Sequence, residues 1–167
     1  MTRSLAVSGV LAFVVGLCGA APRAASAADL DPEAVAKRCV AKVEHLAERC
    51  VARNEAVCQR IVAAIRKALA NGNERQAHRI AALGRRVIHR QTEACVKTIT
   101  ALCRHCVHLL ERLGAPDELI ARVRSACEDA IAKVQASRDR CLERIAEALQ
   151  GGGGTGDVTS SVGAARG

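Results

Sequence analysis

The chain has 167 residues, with 25 Lys and Arg against 17 Asp and Glu, which give a formal net charge of +8. This length suits a single domain. Aromatic residues make up only 1% of the chain. Their scarcity excludes a surface on which nucleic-acid bases stack, so we expect no nucleic-acid partner.

Residues 1–28 are predicted to form a cleavable signal peptide. Arg3 supplies a positive start, residues 5–18 form an apolar run, and small residues at 25–27 suit signal peptidase. The run is shorter than the roughly 20 residues that span a bilayer, which argues against a membrane anchor. Lipidation at Cys18 is disfavoured because the bulky Leu17 precedes it. We therefore expect a secreted or periplasmic protein without a transmembrane segment after cleavage.

Three helices are predicted, over about residues 32–70, 74–113 and 117–149, and they form one domain over residues 29–150. Asp31 followed by Pro32 favours a helix start, since aspartate caps helices and proline suits their first turn. Gly72 and Gly114 are expected to end the first two helices, because glycine accepts the positive φ of a C-terminal cap. Asp117 is the predicted N-cap of the third helix. The Gly-rich tail, residues 151–167, is expected to be disordered because it can bury too little apolar surface.

Apolar residues recur at spacings of three and four along each predicted helix, the pattern of helices packed in a bundle. Because short loops join long helices, neighbouring helices must be antiparallel. The predicted fold class is all-α, an up-down-up three-helix antiparallel bundle with internal cysteine pairs and four interhelical disulfides. The predicted core positions are Cys39, Val43, Leu46, Cys50, Asn54, Val57, Ile61, Ala64 and Ala68 in the first helix, Ala81, Ile88, Thr92, Cys95, Ile99, Leu102, Cys106, Leu109 and Leu113 in the second, and Ile120, Val123, Cys127, Ala130, Val134, Ser137, Cys141, Ile145 and Ala148 in the third.

Cysteine is the most informative residue type in this chain. One of the nine, Cys18, lies in the predicted signal peptide, and an even set remains for the exported domain. In an oxidising compartment such a set forms a disulfide framework. Antiparallel helices bring together residues that lie about equally far from their connecting loop, which gives the pairs between the first and second and between the second and third helices. Combining the two relations places Cys58 of the first helix near the height of Cys141, the remaining cysteine, in the third. The predicted bonds are Cys39–Cys106, Cys50–Cys95, Cys103–Cys127 and Cys58–Cys141.

The segment Cys-Arg-His-Cys-Val-His at residues 103–108 permits other interpretations. Covalent haem attachment needs histidine directly after the second cysteine, where Val107 stands. Thiol redox exchange is disfavoured because the motif lies inside a helix, away from the N-terminal end that stabilises a thiolate. The main alternative is a copper or zinc site made by Cys103, His105, Cys106 and His108. We favour structural cysteines, with no metal and no cofactor, because exported cysteines usually form disulfides.

No catalytic residues are predicted, because the chain has no serine nucleophile in a glycine elbow, no phosphate loop and no HExxH motif. Arg85, Arg86 and Arg90 lie in its most basic stretch and are predicted to bind anions, since guanidinium groups suit phosphate and sulfate. An anionic envelope component is therefore the expected partner. The predicted function is that of an exported, non-catalytic, disulfide-stapled helical protein with a structural or binding role in the cell envelope or outside the cell. The alternatives are a cysteine-thiolate bundle that binds copper or zinc and a carrier of a small apolar ligand.

Overall fold

The computed structural model describes residues 31–151, which form three helices. The helices are α1 (Pro32–Ala70), α2 (Glu74–Arg112) and α3 (Asp117–Gln150). Each packs against the other two, and the two short loops make α1 and α2, and α2 and α3, antiparallel. The predicted all-α three-helix bundle is therefore confirmed. The predicted signal peptide and residues 152–167 of the predicted tail lie outside the described residues.

The helix ends follow local rules with one exception. Asp31 accepts hydrogen bonds from the backbone N–H groups of Glu33 and Ala34, at 3.1 and 3.2 Å. Gly72 and Gly114 both have positive φ, 70° and 64°, so the two predicted turns are confirmed. The exception is the start of α3, where the predicted N-cap Asp117 is already the first helical residue and Pro116 precedes it without a side-chain cap. The Asp117 carboxylate still favours this end through the helix dipole.

The core face of α2 repeats every eleven residues, which differs from the predicted heptad pattern. Eleven residues make close to three whole helical turns, so this buried stripe follows the helix axis more closely than a heptad stripe does. The predicted core residues Leu102, Leu109 and Leu113 are consequently only half-buried. The buried residues of α2 are Ala77, Ala81, Gly84, Ile88, Thr92, Cys95, Ile99, Cys103, Cys106 and Leu110.

The core face of α1 also differs from the prediction beyond Asn54. Cys58, Val62 and Ile65 are buried there. The predicted core residues Val57, Ile61 and Ala64 are instead half-buried, as is Leu46 earlier in the helix. They flank the core because the buried stripe continues from Asn54 by a step of four residues. The α3 core matches the predicted positions.

A layer of buried polar residues divides the core into two apolar clusters. Asn54, Thr92 and Ser137 form this layer, with 0%, 2% and 6% of their surface exposed. The Asn54 Nδ2 group donates to Thr92 Oγ1 at 3.2 Å, and Gln91 Nε2 donates to Asn54 Oδ1 at 2.9 Å. One apolar cluster lies on the side of the α2–α3 loop, and the other lies toward the α1–α2 loop. The clusters are thus two separate hydrophobic units joined by a hydrogen-bonded layer.

Gly84 allows α1 and α2 to approach closely inside the second cluster. A Cβ atom built on Gly84 would lie 2.7 Å from Ile61 Cγ2 and 3.0 Å from Ile61 Cδ1. Such distances are shorter than van der Waals contact, so any side chain at this position must displace Ile61. The close packing explains a glycine in the middle of a helix, where it otherwise costs roughly 1 kcal/mol relative to alanine.

We expect Gly84→Ala to lower the free energy of unfolding by about 1–2 kcal/mol, because the overpacking penalty exceeds the gain in helix propensity. Urea unfolding followed by circular dichroism measures the change. The matched control is Gly84→Ala combined with Ile61→Ala, which should cost less than the sum of its parts because it removes the clashing group. A stability gain from Gly84→Ala alone would contradict the close approach.

Candidate functional site

Three disulfides join every pair of helices. Their Cα–Cα distances are 6.1, 5.6 and 6.1 Å, within the range that unstrained disulfides adopt. Disulfides indicate an oxidising environment, outside the cytoplasm. The bonds are Cys50–Cys95 between α1 and α2, Cys58–Cys141 between α1 and α3, and Cys103–Cys127 between α2 and α3. Three of the four predicted bonds are therefore present.

The fourth predicted bond, Cys39–Cys106, is not formed in the structure. Both residues are free thiols and both are buried. Their side chains nevertheless meet across the α1–α2 interface, close enough for Cys39 to raise the pKa of the Cys106 thiol. The sequence therefore paired the right positions, and the bond between them stays a prediction, since its formation needs an oxidant that removes two electrons and two protons. This thiol pair is the one place in the described core where cysteine chemistry is still available.

The surroundings of Cys106 keep its thiol protonated. Burial, followed by the proximity of the Cys39 thiol, raises the pKa of Cys106 to about 12, and the nearby Lys42 opposes this rise. Because the thiolate is the reactive form of cysteine, a thiol with this pKa is a poor nucleophile at neutral pH. The arrangement argues against a thiol-exchange catalyst at this position.

We expect the stability of the protein with free Cys39 and Cys106 thiols to fall as the pH rises above 9. The pKa of Cys106 is raised from its ordinary value of 9.0 to about 12. Between these values the unfolded chain loses the proton while the folded chain retains it, so unfolding becomes more favourable by up to about 1.4 kcal/mol per pH unit. Denaturant midpoints measured from pH 7 to 11 test this.

The control for this pH dependence is the variant Cys39→Ala with Cys106→Ala, which retains every other titrating group. Its stability should decline less steeply above pH 9. Equal slopes for the two proteins would show that the thiol pair does not titrate as described. Treatment of the wild type with oxidised glutathione should have the same effect as the double substitution if it closes the Cys39–Cys106 bond, with two electrons passing to glutathione.

The residues of the alternative metal site do not converge. The Cys103 sulfur is already bonded to Cys127, and a sulfur in a disulfide is not the thiolate that zinc and copper bind. His105 and His108 are exposed, whereas Cys106 points into the core. Residues 31–151 contain no group of three or more His, Cys, Asp or Glu side chains that could hold a metal. The predicted four-residue ligand set is therefore not assembled in the oxidised bundle.

The three arginines of the predicted anion site do not lie on one face. All are exposed. His89 faces Asp139 of α3 closely enough to lower the pKa of that carboxylate, after the larger effects of Arg138. Arg85 lies one turn from His89 and therefore on the α3 side of α2. Arg86 and Arg90 lie about 100° or more around the helix from Arg85. Arg86 and Arg90 therefore share one side of α2 and Arg85 lies apart from them, and anion binding by these residues stays a prediction.

Grooves of about 300–400 Å³ run between the helices. The groove between α2 and α3 lies over the Cys103–Cys127 bond and is mostly apolar, with Val107 and Ile131 in its lining. The groove between α1 and α2 lies over Cys50–Cys95 and is lined by arginines. The groove size resembles small ligand sites, but these grooves lie on the outside of a core that the helices close among themselves.

The described helices are too polar along their length to cross a bilayer. Comparisons with known proteins found no match, whether among protein-family models, curated proteins or solved structures.

Proposed function

We propose that this chain is an exported, non-catalytic helical protein, whose disulfide-stapled bundle has a structural or binding role in the cell envelope or outside the cell. The observation that carries the proposal is the use of the cysteines. Of the eight cysteines in residues 31–151, six form bonds that link all three helix pairs, and the other two are buried thiols. Cysteines placed in this way stabilise a scaffold and leave none at the surface for catalysis or ligand capture.

Small size and a core without aromatic side chains give the disulfides a clear purpose. The large buried side chains are Ile, Leu and Val, together with Cys and Asn, and each buries less apolar area than an aromatic residue would. Covalent links compensate by restricting the unfolded chain.

The decisive experiment is a thiol count on the exported protein. Purified without reductant, unfolded and alkylated, it should show at most two modified cysteines by intact mass, and peptide mapping should place them at Cys39 and Cys106. The intact mass should also match a chain that begins near Asp29 if the signal peptide is removed. Four or more modified cysteines, or a chain retained in the cytoplasm, would overturn the proposal.

A second candidate, a copper- or zinc-binding bundle, is favoured by one observation, the unbonded Cys39 and Cys106 thiols that face each other between α1 and α2. Two thiolates suit a soft ion such as Cu(I). The high pKa of Cys106 opposes it, since the metal must displace a tightly held proton. Loading the anaerobic protein with Cu(I) or zinc and measuring bound metal by mass spectrometry distinguishes the candidates, because the scaffold proposal expects no stoichiometric ion.

A further inference from the structure

The positive charge of the bundle is concentrated on two of its helices. α1 contains eight Lys and Arg against four acidic residues, and α2 contains eight against three. α3 contains six against seven. The bundle is therefore electrically asymmetric, with all of its excess positive charge on α1 and α2.

The charged residues of α1 that line its two grooves are separated by sign. Glu44, Glu48 and Glu55 line the grooves that α1 makes with α3, where basic residues of α3 lie opposite them. Arg49 and Arg53 line the groove on the opposite side of α1, which it makes with α2. Steps of four and seven residues return to the same face of a helix, so the basic residues at these spacings form one stripe. The α1 stripe consists of Lys42, Arg49, Arg53, Arg60 and Lys67, all exposed.

A second basic stripe runs along α2 beside the same groove. Ala94 lines the groove, and Arg90 and Lys97 lie one turn on either side of it. Arg79 and Arg86 continue the stripe at the same spacing, and all four side chains are exposed. We call the two stripes together the α1–α2 basic face. Glu93 is the one acidic residue that interrupts its α2 half.

The charges of this face have no internal partners. The salt bridges found in residues 31–151 involve Lys37, His108, Arg124 and Arg138 on the basic side, and none of these belongs to the α1–α2 basic face. Its guanidinium and ammonium groups are therefore available to bind anions, and arginine binds phosphate oxygens in a bidentate manner.

Two exposed apolar side chains lie within the α2 half of this face. Leu83 and Val87 are 57% and 48% exposed, and they are the exposed large hydrophobic residues of the described chain. They are one turn apart, and Arg79, Arg86 and Arg90 lie within one turn of them. Apolar side chains held in water among arginines gain nothing from binding a soluble polyanion, but they gain from entering the boundary between lipid headgroups and acyl chains.

We infer that the α1–α2 basic face binds a membrane surface rich in anionic phospholipid, with its Arg and Lys side chains on the lipid phosphates and Leu83 and Val87 inserted at the headgroup boundary. This inference rests on the proposed function, since it names the envelope component that the exported bundle binds. The α1 stripe from Lys42 to Lys67 is about 38 Å long, so the face can contact many headgroups at once. Binding to a surface needs no pocket, only charge of one sign along one side.

Flotation with lipid vesicles tests the inference. We expect the oxidised protein, without its signal peptide, to bind vesicles of equal phosphatidylglycerol and phosphatidylcholine at 0.1 M salt and not vesicles of phosphatidylcholine alone. Binding should weaken sharply at 0.5 M salt, because screening shortens the reach of the charges. Arg86→Gln with Arg90→Gln should weaken binding about tenfold or more, since each basic residue near an anionic surface contributes on the order of a fivefold factor.

Two further variants make the test specific. Leu83→Ser with Val87→Ser keeps the charge and should also weaken vesicle binding by about tenfold, because insertion is lost. Arg122→Gln with Arg140→Gln removes the same charge from α3 and should leave binding within about twofold. All these side chains are exposed, and circular dichroism verifies that each variant is folded.

Failure has distinct forms. An absence of binding to anionic vesicles overturns the inference, and it leaves the proposed function intact if the thiol count is as expected. Binding that depends on Arg86 and Arg90 but not on Leu83 and Val87, with equally strong retention of polyphosphate, also overturns it and identifies a soluble polyanion as the ligand. Equal losses in the α3 control overturn it too, since the effect would then come from net charge alone.

Discussion

Removal of any one of the three disulfides is expected to lower the free energy of unfolding by about 3–4 kcal/mol, and by nearly the same amount for each bond. Sequence separation alone would predict unequal losses for the three bonds. The bonds span 45, 83 and 24 residues, and a longer loop would ordinarily give a larger effect. The reason for the equality is that the three bonds form a closed ring with the chain.

Each bond is bypassed by the other two. If Cys58–Cys141 is broken, the chain still connects these residues through segments 50–58, 95–103 and 127–141, a route of about 30 residues that crosses the two remaining bonds. Cys50–Cys95 is bypassed by the same ring. Cys103–Cys127 closes a loop of similar size directly, over 24 residues. The effective loops are therefore alike, and so are the expected losses.

The measurement uses paired alanine substitutions of both cysteines of each bond, in a background where Cys39 and Cys106 are also alanine so that no thiol can exchange. Denaturant midpoints of each variant and its parent are measured in the oxidised state and again after full reduction. The difference between the two reduced proteins gives the packing cost of losing the sulfur atoms. Losses that rise in the order of sequence separation, with Cys58–Cys141 about 1 kcal/mol above Cys103–Cys127, would refute the ring argument.

The disulfide partners were predictable because antiparallel geometry ties each residue to a height above its loop. The positions of the loops at Gly72 and Gly114 could be predicted from the local sequence. These positions fix the height of each cysteine along the bundle axis. The oxidation state of Cys39 and Cys106 was not predictable. It depends on an oxidant and on its access to two buried sulfur atoms, and the spacing of residues along a helix determines neither.

The exact core face was less predictable for a different reason. Adjacent apolar residues such as Leu102 and Cys103, or Leu109 and Leu110, fit a periodic pattern equally well, and only the packing of the other helices decides between them. The structure buries Cys103 and Leu110. The basic face was also hidden, because its two halves belong to different helices and the linear cluster at residues 85–90 mixes two sides of α2.

Asn54→Ala is expected to lower the free energy of unfolding by about 2–4 kcal/mol, the second large effect among these predictions. Asn54 is fully buried and bonds to both Thr92 and Gln91. Its removal leaves a cavity between the two apolar clusters, and the Thr92 hydroxyl loses its donor. Thermal and urea unfolding measure the loss, and Gln91→Ala is the milder comparison because Gln91 is only half-buried.

Replacing the polar layer by apolar residues separates its effect on stability from its effect on the register of α1 against α2. Asn54→Leu with Thr92→Val fills the space and removes both polar groups, so the oxidised protein should be at least as stable as the Asn54→Ala variant and close to the wild type. In the oxidised bundle the Cys50–Cys95 bond, one turn from Asn54, already sets the register of α1 against α2. After reduction, packing and the hydrogen bonds of Asn54 with Thr92 and Gln91 remain to set it. We therefore expect the reduced double variant to unfold over a broader temperature range than the reduced wild type, and equally sharp transitions would show that the polar layer has no role in register.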